Sequence, residues 1–310
     1  MARIGSTKLE VFPLALGGNV FGWTADEKTS FAILDAYAAA GGNFVDTADV
    51  YSAWVPGNSG GESETIIGRW LRTRGDRGEM IVATKVGMHP KFSGLSAATI
   101  RTALEESLRR LQTDYIDLYF AHQDDENTPL EETLRAFDQL VQKGQVRYVA
   151  ASNYSAARLQ EALSTSDREG LVRYVALQQH YNLVERDKYE GELADVVARE
   201  GLSSLPYFPL ASGFLTGKYR PGAKVASQRV ERAGVYLNDK GIKILAVLDE
   251  VAAAHDVSTA SVALAWLAAQ PTVAAPIASA RTPEQLSDLL QVADLKLSKS
   301  ELQRLSEVSA

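Results

Sequence analysis

The 310-residue sequence contains no cysteine, which excludes disulfide bonds, thiolate catalysis and Cys-ligated metal centres. It is also short of basic charge, because 32 Lys and Arg residues stand against 39 Asp and Glu, for a net charge of −7. A nucleic-acid partner would require a basic patch, so none is expected. No uninterrupted apolar run reaches the ~18 residues of a membrane span, and the N-terminus lacks the features of a signal peptide. These absences predict a soluble, cytoplasmic protein.

Short apolar runs alternate with longer segments of helical period along the whole chain. Each run has the length of a buried strand, and several are rich in Val, Ile and aromatic residues. Eight runs are predicted to be strands: residues 14–18, 43–48, 80–87, 116–123, 146–153, 174–182, 202–210 and 274–280. Helical patterns are clearest at 99–112, 130–144 and 187–201, and the last two end in a glycine suited to a helix C-terminus.

Eight strand–helix units in a chain of this length match a (β/α)8 TIM barrel, spanning residues 1–310 as one domain, better than a doubly wound sheet. The G-x-G-x-x-G fingerprint of ordinary dinucleotide-binding domains does not follow the first strand. Residues 4–13 are predicted to form a hairpin that closes the bottom of the barrel. Two long inserts, 52–62 and 211–238, follow strands, so we expect them to extend the C-terminal face, where barrel active sites are built.

Polar and ionisable residues recur near the ends of the predicted strands. The series comprises Asp46, Lys85, His122, Ser152, Asn153 and Gln178, with Tyr51 just beyond the second strand. In a barrel these side chains converge on one mouth. An ammonium beside a phenol lowers the phenol pKa, and a carboxylate beside the ammonium keeps it charged. The set predicts a proton donor aimed at a developing alkoxide, with a nicotinamide supplying the hydride that side chains cannot.

Taken in order, the segments around these residues resemble the aldo-keto reductase family. The matching segments are FVDTADVY (44–51), ATKVG (83–87), IDLYFAH (116–122), ASN (151–153), LQQHYN (177–182), YFPLASGFLTGKY (207–219) and RTPEQL (281–286). The resemblance covers nearly the whole chain. It implies a (β/α)8 barrel that reduces aldehydes and ketones with NADPH and without a metal.

The resemblance also implies roles for individual residues. The catalytic tetrad falls on Asp46, Tyr51, Lys85 and His122, with Tyr51 as general acid, Lys85 and Asp46 tuning it, and His122 orienting the carbonyl. The implied cofactor-binding residues fall into groups. Ser152, Asn153 and Gln178 would bind the nicotinamide carboxamide, and Tyr207 would stack on its ring. Leu210, Ser212, Gly213 and Lys218 would form the pyrophosphate loop. The adenosine end falls on Ser279, Arg281, Gln285 and Asp288, and Gly18 and Asn19 complete the set. Arg281 suits a 2′-phosphate, which predicts NADPH with NADH as the alternative.

Four aromatic residues are predicted to rim the mouth and bind substrate: Phe21, Trp23, Trp54 and Tyr181. The chain departs from the family at Gly18, Ser279, Asp288 and Leu289, where Thr, Gly, Glu and Asn are common. The last change removes an amide expected to contact adenine. We expect a small carbonyl compound as substrate and a monomer as the default state.

Two other functions remain open from the sequence. Lys85 at a strand end suits a Schiff-base lyase, although that leaves the 207–219 and 281–285 segments unexplained. A cofactor-binding regulatory subunit with little turnover is the other alternative.

Overall fold

An N-terminal hairpin closes one end of the molecule. The computed structural model describes residues 1–225 and 228–310, and its first two strands, β1 (Ala2–Arg3) and β2 (Glu10–Val11), pair antiparallel. Ile4, Leu9 and Val11 are buried against inward-facing side chains of the barrel strands. These apolar side chains cover the bottom of the barrel interior, which confirms an N-terminal hairpin there, although its first strand precedes the predicted residues 4–13.

Eight parallel strands form the main sheet, and a further hairpin, β6 with β7, follows the third of them. The remaining strands are β3 (Ala15–Gly17), β4 (Phe44–Asp46), β5 (Ile81–Val86), β6 (Met88–His89), β7 (Phe92–Ser93), β8 (Ile116–Ala121), β9 (Val146–Ser152), β10 (Tyr174–Gln178), β11 (Ser203–Ser204) and β12 (Ile277–Ala278). Each of the eight predicted strands contains one strand of the main sheet.

The sheet closes on itself through its last two strands. β12 pairs with β3, and the β11 segment joins the β12 segment through parallel bridges from Ser204 to Val273 and from Tyr207 to Ile277. The (β/α)8 fold predicted from the sequence is therefore confirmed. β11 and β12 are shorter than the predicted 202–210 and 274–280, because Pro206 and Pro276 have no N–H to donate to a strand ladder.

Helices surround the barrel. They are α1 (Glu27–Ala39), α2 (Glu62–Arg74), α3 (Ala97–Leu111), α4 (Leu130–Gln142), α5 (Ala156–Glu169), α6 (Glu192–Arg199), α7 (Val230–Gly234), α8 (Asp239–His255), α9 (Thr259–Ala268), α10 (Pro283–Leu290) and α11 (Lys299–Val308). The helix predicted at 130–144 ends as expected, since Gly144 has a φ of 72°. The helix predicted at 187–201 begins only at Glu192, because Gly191, with φ 95°, separates it from the preceding turn.

Alternation along the strands decides which side chains enter the barrel. Phe44 and Ala83 belong to the inner core, while the residues that follow each of them do not. The same period of two places Asp46 and Lys85 on the inner side of β4 and β5. Asp46 ends its strand, and Lys85 is one residue from the end of β5. Both charged groups therefore stand at the C-terminal mouth.

Within residues 1–225 and 228–310, no single helix has the length and apolar composition needed to cross a membrane. One bent pair, Asp239–His255 with Thr259–Ala268, meets those two criteria only when its helices are taken together across a 97° bend.

Two further points concern the predicted inserts. Residues 52–62 form turns up to the start of α2, and residues 211–238 contain a short 3-10 segment and α7. Residues 226 and 227 of the second insert lie outside the described residues.

Candidate active site

The strand-end residues predicted from the sequence meet at one mouth. Asp46, Ser152 and Gln178 are the last residues of β4, β9 and β10. Lys85 precedes the last residue of β5, and His122 follows β8 directly. Parallel strands bring their C-terminal ends to the same edge, so five separate segments contribute to one cluster.

Lys85 is the centre of this cluster. Its side chain is completely buried, and its Nζ donates to Asp46 Oδ2 at 2.7 Å, to the Thr47 carbonyl at 2.7 Å and to Tyr51 Oη at 3.0 Å. These three acceptors match the three N–H donors of an ammonium. Burial lowers the pKa of Lys85, and the neighbouring Asp46 opposes that shift.

Tyr51 reaches the cluster from the turn after β4. That turn is fixed where Ser52 Oγ donates to the Phe21 carbonyl at 2.8 Å, and Ser52 adopts a left-handed φ of 71°. The phenol Oη lies 3.3 Å from Asp46 Oδ2 as well as 3.0 Å from Lys85 Nζ. Non-glycine residues with a left-handed φ, such as Ser52, are strained and concentrate at functional sites.

The net pKa shift of Tyr51 runs against the expectation from sequence. Burial raises the pKa of Tyr51 well above its usual value, and the Asp46 carboxylate raises it further. The sequence suggested the opposite direction, because it showed the ammonium but gave no measure of desolvation. Tyr51 therefore holds its proton at neutral pH, as a proton donor must.

His122 stands beside Tyr51 as a neutral imidazole. The two ring centroids are 6.2 Å apart. Burial lowers the pKa of His122 well below its usual value, and Lys85 lowers it further. Its Nδ1 is buried with no hydrogen-bond partner in the described part of the chain, which favours the tautomer with the proton on Nε2 because an orphaned donor is the rarer case.

The predicted carboxamide-binding residues are hydrogen-bonded to the cluster itself. Gln178 Nε2 donates to Asp46 Oδ1 at 2.9 Å. Asn153 Nδ2 donates to the His122 carbonyl at 2.9 Å and to Ser152 Oγ at 3.1 Å. Tyr207 Oη donates to Asn153 Oδ1 at 2.8 Å. Gln178 thus contacts the ionisable groups directly through Asp46, whereas Asn153, Ser152 and Tyr207 form a second hydrogen-bonded group held to the His122 backbone.

His180 was given no role by the sequence, but it supports Tyr207. Its ring stacks on Tyr207 at 5.5 Å with an interplanar angle of 20°. The only signal was its position two residues after Gln178. The stack fixes the aromatic face expected to meet a nicotinamide ring.

The predicted phosphate loop carries backbone strain. Leu210 precedes a 3-10 segment, Ala211–Thr216, in which Ser212 and Gly213 have φ values of 57° and 96°. Ala211 also lies in the left-handed region, at 49°. A Cβ placed on Gly213 would lie 3.5 Å from Lys218 Nζ, so the loop and the lysine are neighbours.

Basic side chains converge beside this loop. Loss of hydration lowers the pKa of Lys218, and Arg281 and Arg229 lower it further. Burial also lowers the pKa of Arg229, and Arg281 and Arg232 lower it further. The guanidinium carbon of Arg229 also lies 5.6 Å from the centre of the Trp23 ring. From the sequence alone, contact with the cofactor phosphates and a solvated position are equally expected for Arg229 and Arg232 in the long insert.

The residues predicted for the adenosine end lie on the loops around β12 and α10. Ser279 Oγ donates to Asn19 Oδ1 at 2.6 Å, and the Arg281 N–H donates to Gln285 Oε1 at 3.1 Å. Asp288 is an exposed residue of α10. Leu289, the apolar departure from the family, is buried in the outer core, so packing explains it.

Gly18 is explained by packing against α2. A Cβ at this position would lie 2.7 Å from Ser63 Oγ and 3.2 Å from the Asp46 carbonyl. The Gly18 N–H also donates to that carbonyl at 2.7 Å. The glycine thus lets β3 approach the strand that carries Asp46.

The four predicted substrate residues differ in exposure. Trp54 is 49% exposed, and its ring meets Trp23 at 5.7 Å and Tyr51 at 6.2 Å. Phe21 is completely buried in the outer core. Tyr181 is also buried, with Oη donating to Glu190 at 2.7 Å. Substrate contact stays a prediction for all four residues, and the exposure of Trp54 beside Tyr51 suits it best.

A closed (β/α)8 barrel with ionisable side chains at the C-terminal mouth is the architecture of a barrel enzyme. The model of the Aldo/keto reductase family matches residues 13–310. The chain belongs to the aldo/keto reductase family, and it is an NAD(P)H-dependent oxidoreductase.

Three relatives illustrate the breadth of the similarity. "Uncharacterized oxidoreductase YrpG" of Bacillus subtilis is 36% identical over 98% of this chain and 94% of that protein. "Protein tas" of Escherichia coli is 34% identical over 99% of this chain and 96% of that protein. A protein of Oryza sativa named "Probable voltage-gated potassium channel subunit beta" is 35% identical over 94% of this chain and 90% of that protein.

Proposed function

We propose that this chain reduces an aldehyde or ketone to an alcohol with NADPH, using Tyr51 as the general acid. The observation that carries the proposal is the buried Lys85 Nζ, which contacts both Asp46 and the Tyr51 hydroxyl at hydrogen-bond distance. An ammonium fixed against a phenol stabilises the phenolate that remains after the proton has left. Tyr51 therefore keeps its proton at neutral pH, and the phenolate left after proton transfer to the substrate would face the Lys85 ammonium.

The proton step balances without a metal. When bound, a nicotinamide would supply a hydride to the carbonyl carbon. The carbonyl oxygen then carries a developing negative charge, and Tyr51 Oη gives it the proton. The phenolate left behind faces the Lys85 ammonium, which Asp46 holds in place. His122, as a neutral imidazole, donates from Nε2 to the carbonyl oxygen and orients it.

The described residues fit such a cofactor at two places. Ser152, Asn153 and Gln178 place hydroxyl and amide groups beside the tetrad, and the Tyr207 ring stands next to them. Arg281 and Arg229 lie close enough to Lys218 to add to the lowering of its pKa by burial, and Arg281 acts in the same way on Arg229. A bound anion would reduce the electrostatic repulsion among these neighbouring cations, which supports a phosphate-bearing nucleotide as the ligand.

The proposal is tested with a panel of carbonyl compounds that starts with 4-nitrobenzaldehyde. We expect NADPH oxidation that depends on the carbonyl compound, with one alcohol formed for each NADPH consumed. If the protein binds NADPH, measured by quenching of Trp fluorescence, but turns over no carbonyl in the panel, the reductase proposal is wrong.

Arg281 is expected to select NADPH over NADH. Its guanidinium belongs to the cationic group beside the phosphate loop, and a charge-assisted hydrogen bond contributes about 1.5–3 kcal/mol. Arg281→Ala should therefore lower the ratio of kcat/KM for NADPH to that for NADH by about 10–100-fold. The control is Arg304→Ala on α11, whose side chain pairs with Glu250. A ratio unchanged by Arg281→Ala would contradict the assignment.

Trp54 is expected to shape the substrate preference. The indole stands edge-on to Tyr51 and Trp23 and is half exposed, so it forms an apolar wall beside the proton donor. We expect Trp54→Ala to lower kcat/KM for aromatic aldehydes about 10-fold, since removing stacking area loses roughly 1 kcal/mol or more. Short aliphatic aldehydes should be affected less. Trp54→Phe keeps a ring and should restore most of the difference, whereas equal losses for both substrate classes would refute this role.

The rice relative and a relative from Arabidopsis thaliana, both named as potassium channel beta subunits, favour one second candidate. In that case the chain would bind the cofactor as a regulatory subunit with little turnover. Tight NADPH binding without turnover supports that candidate, and turnover at ordinary enzyme rates excludes it. A Schiff-base lyase is disfavoured, because Lys85 is completely buried and its ammonium has three acceptors.

A further inference from the structure

Trp23 is in contact with side chains from both long inserts of the barrel mouth. Its ring meets the Trp54 ring edge-on, with centroids 5.7 Å apart and an interplanar angle of 89°. The guanidinium carbon of Arg229 lies 5.6 Å from the centre of the Trp23 ring. The Trp54 ring in turn lies 6.2 Å from the Tyr51 ring. Side-chain contacts therefore run without a break from Arg229 to the proposed proton donor.

The main chain of the turn that carries Trp23 is fixed by the neighbouring loop. The Phe21 carbonyl accepts a hydrogen bond from Ser52 Oγ at 2.8 Å, and the Gly22 carbonyl accepts one from Asn58 Nδ2 at 3.0 Å. These bonds set the position of the Trp23 backbone. They leave the direction of its partly buried indole to contacts with other side chains.

Arg229 starts from an anchored position as well. It directly precedes α7, and the Ala233 N–H of that helix donates to the Arg229 carbonyl at 2.9 Å. The Ala233 side chain is completely buried in the outer core, so it holds the short helix against the barrel. The Arg229 guanidinium thus reaches Trp23 from a fixed point of the second insert.

The contact between Arg229 and Trp23 has the geometry of a cation–π interaction. A guanidinium within about 6 Å of an indole centre is attracted by the ring quadrupole, and indole is the strongest acceptor of this kind. The planar guanidinium can also stack on the ring, which an ammonium cannot do. Such a contact changes an equilibrium constant by about 2–30-fold, depending on how much water is excluded. Arg229 therefore restrains the Trp23 indole.

Arg229 also belongs to the cationic group beside the predicted phosphate loop. Burial lowers the pKa of Arg229, and Arg281 and Arg232 lower it further. An anion bound among these side chains would reduce their mutual repulsion and attract the Arg229 guanidinium. One side chain therefore adjoins both the proposed nucleotide site and the Trp23 ring.

We propose that Arg229 is a positioning residue that holds the Trp23 indole against Trp54 and so couples the nucleotide-binding loop to the aromatic wall beside Tyr51. Without the guanidinium, Trp23 is less restrained and Trp54 loses a fixed neighbour. The wall then orders an aromatic carbonyl compound less well, whereas a short aliphatic one gains little from it in either case. The effect on substrate preference rests on the function proposed above, but the contact itself does not.

The first test compares two aldehydes at saturating NADPH. Arg229→Ala should lower the ratio of kcat/KM for 4-nitrobenzaldehyde to that for propanal by about 3–10-fold. An effect on cofactor affinity is common to both aldehydes and cancels in this ratio. The matched control is Lys218→Ala, since Lys218 Nζ lies 5.2 Å from the Tyr219 ring. It should weaken NADPH binding and leave the ratio unchanged. An unchanged ratio in Arg229→Ala, or an equal fall in both variants, would overturn the proposal.

A second test asks whether Arg229 acts through Trp23. In a Trp23→Leu background, Arg229→Ala should no longer change the ratio, because the ring that the guanidinium holds has been removed. In a Trp23→Phe background an aromatic face remains, so part of the Arg229→Ala effect should be kept. A full effect of Arg229→Ala in the Trp23→Leu background would mean that Arg229 reaches the substrate by another route, and the proposal would be wrong.

Urea unfolding without cofactor measures the contact apart from turnover. The stability losses of Arg229→Ala and Trp23→Leu should sum to more than the loss of the double variant, because each single variant already breaks the same contact. Strictly additive losses would overturn the contact. If the wild type reduces neither aldehyde, the proposed function fails, while the unfolding measurements still decide whether Arg229 holds Trp23.

Discussion

Tyr51→Phe is expected to lower kcat by about 10²–10⁴-fold and to leave NADPH binding intact, because the loss of a general acid has an effect of that size. The substitution keeps the ring, which packs against Trp54 and His122, and removes only the oxygen. That oxygen lies 3.0 Å from Lys85 Nζ and 3.3 Å from Asp46 Oδ2, and no other described hydroxyl shares both contacts.

The measurement is single-turnover reduction of 4-nitrobenzaldehyde with NADPH, with cofactor affinity determined separately by fluorescence. Tyr154→Phe is the matched control, since Tyr154 is a buried tyrosine outside the barrel whose Oη lies 3.3 Å from Tyr174 Oη. It should retain wild-type kcat. A near-normal kcat in Tyr51→Phe would exclude Tyr51 as the proton donor.

Lys85→Met is expected to damage both activity and stability. It removes the cation that stabilises the Tyr51 phenolate, so kcat should fall on the order of 10³-fold. It also leaves the buried Asp46 without its charged partner, and breaking a buried ion pair from one side costs about 3–5 kcal/mol. Urea unfolding and steady-state kinetics measure the two effects on the same preparation.

A second substitution separates the two effects. Adding Asp46→Asn to Lys85→Met removes the orphaned charge, so much of the lost stability should return. The activity should not return, because the phenolate still lacks its cation. Recovery of kcat together with stability would mean that Lys85 acts only by holding the fold, and the proposed mechanism would then be wrong.

Part of this site was predictable because barrel strands follow a simple rule. Packing inside a barrel favours apolar side chains, so it does not explain charged residues late in strands, such as Asp46 and Lys85. In a closed barrel the C-terminal ends of all the strands lie at one mouth. The series of strands and the absence of a G-x-G-x-x-G motif were enough to favour the barrel over a doubly wound sheet. Family resemblance then supplied the roles that remain proposals.

Tertiary structure decides where the direction of a side chain matters. Phe21 and Tyr181 occupy suitable positions along the chain for substrate contact, and both are buried, so this role stays a prediction. For Arg229 the sequence favours neither a solvated position nor the cofactor phosphates, whereas in the structure its guanidinium carbon lies 5.6 Å from the centre of the Trp23 ring. Loops without regular period carry no internal signal of orientation, so only packing against other segments decides it.

The sequence by itself determined the barrel, its strand order, the hairpin that closes its base and the residue types at its mouth. These follow from local periodicity and from the rule that parallel strand ends converge. The tertiary structure was needed for the directions of the pKa shifts. Burial raises the pKa of Tyr51 and lowers that of His122 relative to their usual values. Desolvation depends on atoms brought together from distant segments, so no reading of neighbouring residues along the chain can supply it.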